Sequence, residues 1–181
     1  GSTVFILGAG PIGCFAVGVA RAAGASLVIA SDFNDMRLDL ARKMGAHLIL
    51  NPARDDIPAA VFAATHGNGV DLVCEMSGHP AGHAQAFETA RVGGRVNLLG
   101  TPSQSTEVDF AHQIIFKGLT LYGVTGRKMF STWNTMGQMI RSGQLDPAPV
   151  ITHRFPLEDI AEAIAVIKDG RAGKVILEIA S

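Results

Sequence analysis

The sequence predicts an α/β fold: a doubly wound parallel sheet of six strands in the order 3-2-1-4-5-6. Three observations predict it. Short apolar runs with no polar face recur from Val4 to Val124, which suits strands covered on both sides. Helical patterns separate these runs, long enough for right-handed crossovers. A glycine-rich turn joins the first run directly to the first helix.

That first unit is VFILGAGPIG, residues 4–13. Residues 4–7 read as a buried strand, and Gly8, Gly10 and Gly13 then fit G-x-G-x-x-G. Gly8 permits the tight turn, Gly10 lets a pyrophosphate approach the backbone, and Gly13 lets the helix pack closely on the strand. Pro11 takes a first-turn position where its missing N–H costs nothing. The free N–H groups and the positive dipole end then face the ligand phosphates. Taken alone, the glycines are a weak signal and also fit a ligand-free turn. The following order decides: a helix to residue 23, a stop at Gly24, a second buried strand over residues 27–30, then Ser31-Asp32. Asp32 lies 19 positions after Gly13, where an acidic residue accepts hydrogen bonds from the adenosine ribose. This is the Rossmann arrangement. A carboxylate there repels a 2′-phosphate, so the cofactor expected is NAD rather than NADP.

Asn34 is placed to cap a helix over residues 35–44, which Gly45 ends. Arg37, early on that helix, either lies over the adenine ring or is a solvated helix arginine. Residues 47–50 form the third strand, 52–58 a connection that includes both Pro52 and Pro58, and 59–65 a modest helix. The fourth strand spans 70–75. If strand order reverses between the first and fourth strands, Ser77 and Gly78 lie beside the cofactor. His79 and His83 have metal-ligand spacing, but Pro80 fits a helix start and no cysteine or carboxylate joins them, so no metal is expected there. That helix runs to residue 90. Gly93-Gly94 is read as a turn into a fifth strand over 95–99. A short helix through Ile114 and Phe116 leads to a sixth strand over 118–124. Glycines close the later strands at Gly78, Gly100 and in Thr125-Gly126-Arg127, where a nicotinamide ribose fits.

Residues 129–142 read as one helix whose stripe of Phe130, Trp133, Met136 and Met139 or Ile140 is expected to face a core. Strands over 150–155 and 174–179, with a helix between, stand outside the six. Residues 1–143 are therefore expected to form the dinucleotide-binding domain. Residues 144–181 are expected to be a returning segment that packs on a domain encoded ahead of Gly1.

Composition narrows the class. The net charge of −1 and pI near 6.6 carry no basic footprint for nucleic acid. No apolar run is long enough for a membrane span and no signal peptide is evident, so a cytoplasmic location is expected. Cys14 and Cys74 fall on buried elements and read as small hydrophobes. Charged residues make up 17% of the chain, against about 25% in ordinary globular proteins. Such a chain is expected to bury surface against something else. The sixth strand would be a sheet edge, so a homodimer or homotetramer through it is expected.

The chain resembles the medium-chain, zinc-type alcohol dehydrogenase family. The resemblance rests on GAGPIG at 8–13, LARKMGA at 40–46, EMSG at 75–78, IFKGLTLYG at 115–123, GRKMFSTW at 126–133, ITHRFPLEDIAEAI at 151–164 and GKVILEI at 173–179. It covers essentially the whole chain. The glycine turn is shared by many dehydrogenases, whereas GRKMFSTW and THRF are more particular. The resemblance implies a longer protein whose amino-terminal catalytic domain holds zinc and the substrate pocket. No zinc ligand and no catalytic residue carries over to this chain. It implies that Ile12, Asp32 and Arg37 touch the adenosine side of NAD. It implies that Leu99, Gly100, Thr101, Val124 and Thr125 line the nicotinamide side, with Thr125 standing where an aromatic is expected. The implied activity is oxidation of a secondary alcohol by NAD, first L-threonine to 2-amino-3-oxobutanoate, alternatively a polyol or butanediol. A non-catalytic NAD-binding module is the remaining reading. The chain by itself is expected to bind NAD weakly and to turn over no alcohol.

Overall fold

Six strands, β1 (Thr3–Leu7), β2 (Leu27–Ser31), β3 (Leu48–Leu50), β4 (Val70–Glu75), β5 (Ala90–Leu98) and β6 (Thr120–Gly123), form one parallel sheet. Its order is β3-β2-β1-β4-β5-β6, as predicted. The computed structural model describes residues 1–126 and 128–179. Arg127, in the predicted glycine-rich strand end, and Ala180 and Ser181, in the predicted returning segment, lie outside the described residues.

The absence of a polar face on β1 has a direct cause. Val4 and Ile6 point into a core with α1 (Pro11–Ala22) and α2 (Asp35–Lys43), through Cys14, Val17, Leu38 and Ala41. Phe5 and Leu7 point the other way, against α3 (Ile57–Ala64) and α4 (Pro80–Thr89), through Ile57, Val61, Ala86 and Phe87. Phe5 and Ile6 are fully buried, and each such side chain contributes roughly 1.5–3 kcal/mol. Register aligns the carboxyl ends that matter: Leu7 pairs with Ser31 on one side and Glu75 on the other. The amino ends are tied by Asp71, whose Oδ2 accepts from Thr3 N at 2.7 Å and Thr3 Oγ1 at 2.9 Å. Its Oδ1 accepts from Arg91 Nε at 2.6 Å. The Thr3 amide and the Arg91 guanidinium together hold the Asp71 carboxyl down at about 2.

Several local readings change. Pro58 is not in a connection. It sits in the first turn of α3, after the N-cap Asp56, whose side chain accepts from Ala59 N at 3.1 Å. Gly93-Gly94 is not a turn ahead of the strand but lies inside β5. There the pairing jumps from Val70↔Ala90 to Leu72↔Arg95, so extra residues bulge out of the ladder. The short helix before β6 is a π turn, Phe110–Ile115, with Phe116 N donating to Ala111 O at 2.9 Å. The next helix, α5 (Ser131–Arg141), starts two residues late because Phe130 has φ 66°, outside the helical region.

The stripe on α5 is the clearest correction. Phe130, Trp133, Met136 and Ile140 are all more than a third exposed, and Met139 alone of the predicted stripe packs against a core. Helical periodicity reports that a face is apolar, not that this chain supplies its cover.

The late strands β7 (Ile151–Pro156) and β8 (Lys174–Glu178) form a separate parallel pair, joined by α6 (Ile160–Lys168). A 3-10 turn, Leu157–Asp159, precedes α6. The segment is anchored to the larger sheet. Leu145 and Val150 join the core shared by α1 and α2, and Gly18 leaves the space that Leu145 fills. No helix among the described residues is long and apolar enough to cross a membrane.

Candidate functional site

The carboxyl ends of β1, β2 and β4 open into a groove of about 610 Å³, within the size range of small-molecule sites. Gly8 makes the tight turn and Gly13 the close helix–strand approach that the sequence predicts. Gly8 has φ +92°, and a Cβ there would meet Ser77 N at 2.9 Å. Gly13 lies so close to the strand end that a Cβ would meet Gly8 O at 1.9 Å. Gly10 differs: a Cβ there would meet nothing within 4 Å, and the residue lines the groove. Its bare backbone faces open space at the start of α1, which is what a pyrophosphate seat needs.

Asp32 follows β2 and reaches back under this turn. Its Oδ2 accepts from Ala9 N and its Oδ1 from Asn34 N, each at 2.9 Å. The Arg37 guanidinium stands 4.0 Å from Oδ2, and Arg37 Nε is buried with no hydrogen-bond partner. Asp32 is thus fixed by the backbone and retains acceptor capacity toward the groove. Cys14 sits behind the turn and donates to Ala9 O at 3.2 Å. Burial, with the Asp32 charge adding, pushes its thiol up to about 12. Burial also raises Cys74, to about 11. Both cysteines are buried, as predicted.

Of the predicted site residues, Gly8, Gly10, Asp32, Arg37 and Ser77 line this groove together. Pro11 and Ile12 lie in the first turn of α1, with Ile12 58% exposed. Leu99, Gly100 and Thr101 follow β5 and abut the loop after β4: a Cβ on Gly78 would meet Thr101 O at 2.7 Å. Val124 and Thr125 follow β6, with Val124 N donating to Leu98 O at 2.9 Å. These five lie along the same carboxyl edge but outside the groove itself. His79 and His83 serve the backbone. His79 Nδ1 accepts from Ala81 N at 3.2 Å as the N-cap of α4, and His83 Nδ1 donates to His79 O at 3.1 Å.

Sequence reasoning missed one wall. Lys168, Asp169 and Gly170, at the end of α6, line the groove beside Phe33 and Asn34. Asn34 makes the join: its Oδ1 caps α2 through Arg37 N, and its Nδ2 donates to Gly170 O at 2.8 Å. Nothing in the local pattern around Gly170 signals this, because the partners are 136 residues apart.

A doubly wound sheet with a glycine turn, an open helix start and a fixed acid defines a Rossmann-type protein with its site at the switch point. The comparisons carry this further. The family model for zinc-binding dehydrogenases matches residues 11–142, and the chain belongs to that family. The L-threonine 3-dehydrogenase of Bacillus subtilis is 50% identical over 177 residues, covering 98% of this chain and 51% of that protein. An alcohol dehydrogenase from Thermotoga maritima superposes with a TM-score of 0.91 at 32% identity, over 99% of this chain and 50% of that one. A protein from Escherichia coli CFT073, described as a short chain alcohol dehydrogenase and solved with NADH, gives 0.86 at 28%, over 97% and 52%. The chain spans about half the length of the curated relatives it matches.

The residues present fit a dinucleotide, because Gly10 leaves a cradle that any Cβ would begin to fill. They do not fit zinc: among the described residues no group of three or more His, Cys, Asp or Glu side chains is placed to hold a metal ion.

Proposed function

We propose that this chain binds NAD and forms the cofactor half of a dehydrogenase that oxidises a secondary alcohol. The observation that carries this is Asp32, held by Ala9 N and Asn34 N at the mouth of the groove beside Gly10. Bound NAD would supply the hydride acceptor. The chain's own residues bind and orient it. The N–H groups at the start of α1 receive the pyrophosphate, Asp32 accepts from the ribose hydroxyls, and Arg37 lies against the adenosine end. The loops after β4, β5 and β6 receive the nicotinamide half. L-threonine, oxidised to 2-amino-3-oxobutanoate, is the substrate favoured by the relative at 50% identity. A polyol or butanediol is the alternative. Zinc and the substrate pocket belong, on this reading, to residues outside this chain, which alone turns over no alcohol.

Fluorescence titration with NADH and NADPH tests the reading. NADH binds more tightly to the wild-type chain. Asp32→Ser weakens NADH binding about tenfold, the scale of one charge-assisted hydrogen bond, and narrows the preference over NADPH. Equal affinities of the wild type for the two nucleotides refute it.

The proposal extends to assembly and location. The edge strand β6 leaves Tyr122 51% exposed, and pairing with β6 of a second copy would continue the sheet across a two-fold axis. Sedimentation showing only monomer refutes that pairing. A cytoplasmic protein is the setting proposed.

A further inference from the structure

Glu75 ends β4 and is fully buried. A carboxylate in such a place is costly unless its oxygens are satisfied, and an apolar side chain of similar size would fill the space at less cost. Its contacts show what the carboxylate accomplishes. Oε1 accepts from Ser77 N at 2.9 Å, from Gly78 N at 3.0 Å and from the Ser77 hydroxyl. Three donors on one oxygen hold the turn in which Gly78 takes φ +67°. The main-chain carbonyl of the same residue accepts from Leu99 N at 2.9 Å and Gly100 N at 3.1 Å. One residue therefore ties down both the loop after β4 and the loop after β5.

The two loops touch each other through Glu75. A Cβ on Gly100 would meet Gly78 N at 2.2 Å and Glu75 Oε2 at 2.5 Å. Gly100 is thus a glycine because of Glu75 and Gly78, whatever ligand lies beyond. Oε2 has no hydrogen-bond partner and faces His83 Nε2 at 3.8 Å. His83 Nδ1 is committed as a donor to the His79 carbonyl, which can only accept. Glu75 does not line the groove, whereas Ser77, which it holds, does.

We infer that Glu75 is a positioning residue: it sets the spacing of the loops after β4 and β5 and thereby builds the seat for the nicotinamide half of the cofactor. The inference rests on the reading of this chain as NAD-binding. It assigns to one buried carboxylate a selective effect on one half of a ligand that lies across two. Preorganised loops spare the ligand the cost of ordering them. A neutral amide at this position accepts more weakly from three donors than a carboxylate does.

The test compares NADH with ADP, which keeps the adenosine and pyrophosphate but lacks the second ribose and nicotinamide. In Glu75→Gln, NADH affinity falls about tenfold, the scale of one charge-assisted hydrogen bond, while ADP affinity stays within twofold. Ser77→Ala, which removes one donor at an exposed position, shows the same selectivity at a smaller scale and serves if Glu75→Gln does not fold. Amide exchange in Glu75→Gln rises at Ser77 and Gly78, whose amides donate to the side chain, and not at Ala9 or Asn34. Equal weakening of both ligands means that Glu75 acts on the fold as a whole, and overturns the inference. Unchanged NADH affinity overturns it as well. A wild-type chain that binds neither ligand refutes the NAD reading instead, and the amide exchange then decides separately whether the Glu75 side chain holds the loop after β4.

Discussion

Alanine at two glycines of one turn should give opposite outcomes. At Gly13 a new Cβ would lie 1.9 Å from Gly8 O and 2.9 Å from Gly8 C, with Ile6 Cγ2 at 3.5 Å. The carbonyl belongs to the backbone of the turn, so no side chain can swing aside. Helix and strand must part by at least about 1.1 Å to reach the 3.0 Å below which Cβ contacts essentially never fall. Overpacking of this kind costs about 1–3 kcal/mol. Alanine also gains about 1 kcal/mol over glycine inside a helix. Because the clash is with main chain, the cost lies at the upper end and wins by about 1–2 kcal/mol. With a urea m-value of about 2–3 kcal/mol/M for a chain of this size, the midpoint falls by roughly 0.3–1 M. At Gly10 the φ of −60° suits alanine and nothing lies within 4 Å. The N-cap preference for glycine over alanine costs under about 1 kcal/mol, but the methyl enters the groove where the pyrophosphate is proposed to sit. Urea unfolding and NADH titration of both variants separate the two roles. Gly13→Ala as stable as wild type would refute the steric reasoning, and Gly10→Ala with unimpaired NADH binding would refute the seat.

Two further expectations concern protons. The Asp71 carboxyl is held at about 2 in the folded chain, against an ordinary value near 3.8. Its contribution is therefore complete above about pH 4 and is lost as pH falls from there through about 2. Asp71→Asn should destabilise by about 1–2 kcal/mol at pH 7, allowing for solvent screening of a partly exposed group. The difference from wild type should shrink below pH 3 in acid unfolding curves, and a difference independent of pH would contradict this. The cysteines run the other way. With Cys14 raised to about 12 and Cys74 to about 11, both stay thiols while unfolded thiols ionise above about pH 8.5. The stability they contribute is full below that pH and declines as pH rises above it. Neither should react with a disulfide reagent at pH 8 faster than the chain opens, and fast labelling of the native chain would show the burial to be wrong.

Much of the fold was legible because its signals are local. Strands buried on both faces must be apolar throughout, so β1, β2 and β4 announce themselves, and glycines at Gly8 and Gly13 are demanded by φ and by close approach. Asp32 was legible because strand, turn and helix set its distance from the turn. Where signals conflict, local reading failed. Pro58 marks a break only if it is not in a first turn, and a Gly-Gly pair marks a turn unless a bulge carries it. Periodicity on α5 reports an apolar stripe but not its burial, and Phe130, Trp133, Met136 and Ile140 stay exposed.

By itself the sequence determined the sheet order, the place of the glycine turn and the acid beneath it, since period, turn chemistry and crossover length all act within one βαβ unit. Tertiary structure alone decided the rest of the site. Gly170 meets Asn34 across 136 residues, and Glu75 ends a strand yet accepts hydrogen bonds from two loops. Periodicity cannot report such contacts, because they depend on which chain ends the sheet brings together, and that is settled only when the whole core closes.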